Sequence, residues 1–333
     1  MRILVAGGAG FLGSNLVELL LARPEVSSIT IVDDLRSCGL AYLEEVLGRS
    51  FPDSGPVPSV RIESRGRVVE VKLALHDLLD RVPVRQYCHR CDAIVHLAER
   101  SPGRFSTHTS REIQSVNLRM TKHLLEAACE SGCGTFVYLS SLAVYGNASG
   151  SSSVLESTTP VPFSAYGSAK LACETLCEEH AAESAMCLTV LRVANPYGKF
   201  SEHKDQAVPR MLRHLLTDTD LVVYGDGKQT RDFVHARDVG LAIWLSLQRD
   251  NGHAVYNVGT GDSTSVNELV GLLKRVSGSN PKVASMPPKK EEIVHSVADI
   301  SKISRELGYA PSVGLEDGVR ELYDRMEGKT NVR

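Results

Sequence analysis

The sequence predicts an α/β protein: a doubly wound parallel sheet followed by a smaller mixed α/β lobe. Three observations carry that expectation. Short apolar runs alternate with helical patterns from the first residue, a glycine-rich turn joins the first run to the first helix, and the alternation dissolves into short mixed elements after residue 194.

Residues 3–6 read as a short buried strand. An apolar leader would look similar, but this run meets glycines and then a helical pattern carrying Glu18, so it is expected to stay in the fold. Residues 11–21 follow with helical apolar spacing, and 29–32 form the second strand. Residues 49–58 are rich in Pro, Gly and Ser, and 59–73 alternate around Ser64-Arg65-Gly66 as a hairpin does. Strands at 93–97 and 136–139 flank a helix over 113–130, and a helix over 165–183 leads to a strand at 187–193. The Ser/Thr-rich stretch 148–160 is expected to be a loop over a site. The chain divides into a unit over 1–194 and a lobe over 195–333 that returns in part to the first unit.

Composition narrows the functional classes. The 333 residues are 42% hydrophobic, with 37 Lys plus Arg against 40 Asp plus Glu, which excludes a disordered, collagen-like or coiled-coil chain. A net charge of −3 without a basic run argues against nucleic acid as a partner. No window reaches the roughly 18 apolar residues of a membrane span. Eight cysteines are too sparse for a disulfide scaffold, so reduced thiols and a cytoplasmic location are expected. Cys88 and Cys91 have the spacing of a redox or metal pair, but no second pair follows, and they read as the end of a helix. Cys129/Cys133 and Cys173/Cys177 read as small buried thiols four apart on helices. No metal site is expected.

The chemistry begins at Gly7-Gly8-Ala9-Gly10-Phe11-Leu12-Gly13, placed after the first strand and at the mouth of the first helix. Gly7 suits a tight turn, Gly10 lets backbone approach a pyrophosphate, and Gly13 allows helix and sheet to pack closely. Twenty residues beyond Gly13, Asp33 ends the second strand, where a carboxylate can take the two hydroxyls of an adenosine ribose. Its charge repels a 2′-phosphate, so NAD is expected over NADP; Arg36 is the one residue that argues otherwise.

A second constellation lies downstream. Tyr166 and Lys170 stand four apart at the start of a helix, on one face. A phenol titrates near 10 unless cations lie close, and Lys170 with an oxidised nicotinamide would supply them. Ser140 and Ser141 end the strand before them, at the sheet edge where such folds build their sites, and Ser141 is placed to hold a substrate hydroxyl for Tyr166.

With these residues in order, the sequence resembles the extended short-chain dehydrogenase/reductases, and among them the NAD-dependent nucleotide-sugar epimerases and dehydratases of the UDP-glucose 4-epimerase kind. The likeness runs from Arg2 to about Pro311 and includes Asp77-Leu78, His96-Leu97-Ala98, Asn117, Asn195-Pro196-Tyr197-Gly198 and the segment from Tyr224 to Phe233. It implies a Rossmann-type sheet, Ser141, Tyr166 and Lys170 as catalytic residues, and Lys170 on the nicotinamide ribose. It implies NAD against Gly7, Gly10, Phe11, Leu12, Gly13, Asp33, Asp34, Leu35, Arg36, Asp77, Leu78, Leu97, Ala98 and Asn117. Asn195, Arg231 and Lys289 are the implied contacts of a nucleotide diphosphate, and the stretch near 221–224 that of its base. A homodimer through a four-helix bundle of the helices at about 107–131 and 163–184 is implied as well.

Departures select the subclass. Where the family's dehydratases carry an Asp-Glu pair and its decarboxylases a Glu, this chain has Leu142 and Ala143. The stretch 34–76 is longer than usual, and Met120 stands where Gly is common. The expected reaction is NAD-dependent epimerisation at C4 of a nucleotide-diphospho-sugar through a 4-keto sugar, with Tyr166 as base. The alternatives are a 4-keto-sugar reductase, a dehydratase or decarboxylase, and a non-catalytic NAD-binding regulator.

Overall fold

The computed structural model describes residues 1–52, 55, 57–100, 109–147, 153–288 and 293–330. Its first part runs β1 (Arg2–Ala6), α1 (Phe11–Leu21), β2 (Ser28–Asp33), α2 (Ala41–Leu47), β3 (Ser59–Ser64), β4 (Arg67–Leu75), α3 (Arg81–Cys88), β5 (Ala93–His96), α4 (Ser110–Ser131), β6 (Thr135–Ser141), α5 (Ala165–Ala182) and β7 (Cys187–Val193). It continues with β8 (Asn195–Tyr197), α6 (Ala207–Leu216), β9 (Leu221–Tyr224), β10 (Thr230–Arg231), β11 (Phe233–His235), α7 (Ala236–Ser246) and β12 (His253–Val258). The remainder is β13 (Thr264–Ser265), α8 (Val266–Ser277), β14 (Val283–Met286), β15 (His295–Ser296), α9 (Ser301–Leu307) and α10 (Leu315–Thr330).

Eight strands form one sheet in the order β12-β7-β6-β5-β1-β2-β4-β3, parallel except for β3. Because successive side chains of a strand point to opposite faces, β1 sends Ile3 and Val5 toward α1 and α7, and Leu4 and Ala6 toward α3, α4 and α5. The two apolar layers that result are the Rossmann-type fold the pattern predicts. The chain leaves β1 toward β2 on one side and pairs it with β5 on the other, which opens a crevice at the strands' carboxyl ends.

The long stretch between β2 and β5 now has a physical role. Arg65 and Gly66 both take positive φ, the geometry of a two-residue hairpin turn, and β4 pairs parallel with β2 while β3 covers its outer edge. Arg67 at the start of β4 donates to the carbonyls of Leu21 (3.0 Å), Arg23 and Val26, satisfying acceptors where α1 ends.

Two cysteine expectations need correction. Cys129 is exposed, and Cys133 lies beyond α4 because Gly132 adopts the left-handed conformation (φ 66°) that ends the helix. Cys173 and Cys177 are buried on α5 as expected. Residues 221–224 are a strand with Leu221 and Val223 in the core of the C-terminal lobe, not a loop at the cleft. That lobe has its own apolar core from α6, α8, α10 and β9, whereas β12 returns to complete the main sheet beside β7.

Candidate active site

The cleft at the carboxyl end of the sheet begins with the glycine turn. Gly7 has φ 81° and donates to Val32 O at 2.8 Å; a Cβ there would lie 2.7 Å from Ala98 N. A Cβ on Gly13 would collide with the Gly7 carbonyl oxygen. Gly10 differs, since its nearest neighbour would sit 3.4 Å away, so packing within the chain does not require glycine there. Gly10 also lacks a side chain to cap α1, whose first hydrogen bond runs from Ser14 N to Gly10 O (2.9 Å). The first-turn amides therefore have no helical partner, and residues 10–13 line the cleft.

Asp33 ends β2 with each carboxylate oxygen held by an amide: Ala9 N donates at 3.0 Å and Leu35 N at 2.8 Å. Burial raises its pKa, and those hydrogen bonds oppose the rise. Around it, Arg100 bridges Asp34 (2.8 Å) and Asp77 (2.9 Å), and the more exposed Arg36 faces the same two carboxylates at 3.6 and 3.4 Å. Arg36 is thus engaged by two acids.

The catalytic candidates meet further along the cleft. Ser164 caps α5 by accepting from Gly167 N (3.0 Å), and glycine at 167 is needed because a Cβ would collide with Ala143 O. That close contact seats Tyr166 beside Ser141 in the same cleft. Ser141 Oγ also accepts from Ala143 N at 3.2 Å. Lys170 lies one turn on, donating to Leu139 O (2.8 Å) and pairing with Glu99 (3.1 Å), its Nζ 5.9 Å from the centre of the Tyr166 ring.

Electrostatics here are divided. Burial pushes the Tyr166 phenol up to about 12 and Glu99 adds to the rise, while Lys170 and the Ser141 hydroxyl pull it down. Burial works against the Lys170 ammonium, but Glu99 and Tyr166 outweigh it and raise its pKa. His96, buried behind Lys170, is pushed down to about 3 by burial and is neutral.

Gly7, Gly10, Phe11, Leu12, Gly13, Asp33, Asp34, Arg36, Asp77, Leu78, Leu97, Ala98, Ser141, Tyr166, Lys170, Asn195 and Arg231 line this one cleft. Leu35 and Asn117 do not: Leu35 packs on the core, and Asn117 exchanges hydrogen bonds with the Arg100 backbone (2.8 and 2.9 Å), holding the segment that carries that arginine. Lys289 lies outside the described residues. Sequence reasoning missed Glu99 and Arg100, although a charged pair directly after an apolar strand at the sheet's carboxyl edge was a usable signal. On the far wall, Asn195 Nδ2 donates to Asp232 O (3.0 Å), and the Asp232 carboxylate gathers Thr260, Gly261 and Ala298 amides beneath the neighbouring Arg231. Among the described residues no group of side chains could hold a metal ion, and no helix is long and apolar enough to cross a membrane.

A glycine turn on a helix end, an acid at the end of β2 and a Ser-Tyr-Lys set in one cleft define a dinucleotide-dependent enzyme of the extended short-chain dehydrogenase/reductase class. The chain belongs to the NAD dependent epimerase/dehydratase family, whose pattern matches residues 3–259, and NAD is its cofactor. It is 31% identical over 323 residues to an uncharacterised UDP-glucose epimerase of Bacillus subtilis, covering 96% of each chain. It is 28% identical over 333 residues to a UDP-N-acetyl-α-D-glucosaminuronate decarboxylase of Bacillus cytotoxicus, again covering 96% of each. Its fold matches a dTDP-glucose 4,6-dehydratase of Streptomyces venezuelae solved with NAD, with TM-score 0.86, 28% identity, and coverage of 100% of this chain and 98% of that one. Epimerases, dehydratases and decarboxylases thus all stand among its relatives.

Proposed function

We propose that this enzyme inverts C4 of a nucleotide-diphospho-sugar through a 4-keto sugar. The carrying observation is the fate of every described carboxylate in the cleft. Asp33 is held by two amides, Asp34 and Asp77 by Arg100, and Glu99 by Lys170, while positions 142 and 143 are Leu and Ala. Elimination of water needs an acid free to protonate the departing hydroxyl, and the described cleft residues offer none beside Ser141 and Tyr166. Epimerisation returns the proton and hydride it removes, so it needs only the base.

NAD, when bound, supplies the hydride acceptor and a positive ring beside the phenol. Tyr166 takes the C4 hydroxyl proton, Ser141 holds that hydroxyl in line, and Lys170 stabilises the phenolate by its charge. Asn195 and Arg231, together with Lys289, keep the diphosphate anchored while the keto sugar turns, a task suited to the fork of an arginine. The unit over 1–194 serves the cofactor and the lobe over 195–333 the sugar nucleotide. Two copies pair through α4 and α5, so elution at dimer mass is expected.

Product NMR on a panel of sugar nucleotides tests the reading: a 4-epimer is expected with no added reduced nicotinamide consumed. Stoichiometric consumption of NADH would make the enzyme a 4-keto-sugar reductase instead. Tyr166→Phe is expected to lower turnover roughly 10²–10⁴-fold while sugar-nucleotide binding persists; retained turnover would remove Tyr166 as base.

A further inference from the structure

Glu99 lies three residues beyond β5 at the carboxyl edge of the sheet, with its side chain 22% exposed. One oxygen, Oε2, pairs with Lys170 Nζ at 3.1 Å. The other, Oε1, is buried and has no hydrogen-bond partner among the described residues. A buried acceptor left unmet is costly, and such groups are uncommon outside functional sites.

Lys170 is the complement. Its ammonium has three N–H donors, of which one goes to Leu139 O and one to Glu99. Among the described residues the ion pair therefore keeps a spare donor and a spare acceptor, and both of its residues line the cleft. A pair of neighbouring hydroxyls matches that array, because each hydroxyl both gives and receives a hydrogen bond. The adenosine end of the cleft already has its own carboxylate in Asp33, on the other side of the glycine turn.

We propose that Glu99 and Lys170 together form an acceptor–donor clamp on the vicinal diol of the nicotinamide ribose, which makes Glu99 a cofactor-binding residue. The clamp rests on the reading of Lys170 as the group that meets that ribose. It differs from a lone lysine in polarity: the pair is neutral as a whole, and it fixes both hydroxyl oxygens and hydroxyl protons.

Two probes separate the clamp from the rest of the cleft, because ADP-ribose carries the second ribose and ADP does not. Calorimetric titration of the nucleotide-free full chain compares wild type, Glu99→Ala, Glu99→Gln and Lys170→Ala. Glu99→Ala is expected to weaken ADP-ribose roughly tenfold or more, the scale of a hydrogen bond to a charged group, and to leave ADP within about twofold. Should the alanine variant lose ADP as well, the near-isosteric Glu99→Gln decides: selective weakening of ADP-ribose supports the clamp, and an equal loss of both ligands overturns it. Unchanged ADP-ribose affinity in Glu99→Ala, with Lys170→Ala weakened, overturns the clamp and leaves the site intact. Unchanged affinity in both variants overturns the ribose reading of Lys170 too.

Discussion

Helix α5 carries two glutamate ion pairs one turn apart, and they are built to opposite standards. Glu174 is 2% exposed and Arg192 7%. Every atom of that pair is engaged: Arg192 donates to Glu174 at 3.1 and 2.7 Å and to Tyr145 at 2.8 Å, Ser140 donates to Glu174, and Tyr145 donates to Asn257 at 2.8 Å. The Glu99–Lys170 pair, in contact with the cleft, leaves a carboxylate oxygen unmet among the described residues. A closed polar network rigidifies the junction of α5, β6 and β7; an open one keeps hydrogen-bonding capacity for a ligand. The difference shows where this fold uses charge for architecture and where it uses charge for chemistry.

The largest expected effect tests the closed pair. Glu174→Ala leaves Arg192 buried without its carboxylate and should lower stability by about 3–5 kcal/mol, measured as a shift in the denaturant midpoint. A comparable drop in Glu99→Ala would erase the distinction. A second test addresses the open pair through pH. Ionised Glu99 disfavours the Tyr166 phenolate and so raises that pKa; Glu99→Gln removes the charge, and the active phenolate then forms at lower pH. The acidic limb of kcat/KM should move to lower pH, and a limb that stays or rises contradicts the electrostatic role. The smallest effect is expected from a double-mutant cycle on Glu99 and Lys170, whose coupling in global stability should fall below that of Glu174 with Arg192, because the Glu99 side chain is 22% exposed against 2% for Glu174.

What the sequence disclosed and what it hid divide along range. The glycine turn, Asp33 and the Tyr166–Lys170 spacing were legible because each is fixed by backbone geometry within a few residues. The hairpin at 59–73 was legible as well, but not its second strand's place beside β2, because strand order is set by long-range pairing. Glu99 meets Lys170 across 71 positions of the chain and Arg100 meets Asp34 across 66, so no local spacing reports either. Asn117 was named for the cofactor; its exchange of hydrogen bonds with the Arg100 backbone is a contact only packing reveals. The strand at 221–224 was misplaced at the cleft because a four-residue apolar run does not state which core receives it.

The last strand of the main sheet, β12, begins at His253, some sixty residues after β7 has ended. Until that segment is synthesised, the outer backbone of β7 has no strand to bond. A shortened chain ending before His253 therefore holds the whole glycine turn and the Tyr166–Lys170 pair on a sheet with a bare, apolar rim. Such a rim is a template for pairing with other chains, so truncation is expected to yield aggregates rather than a small cofactor-binding fragment.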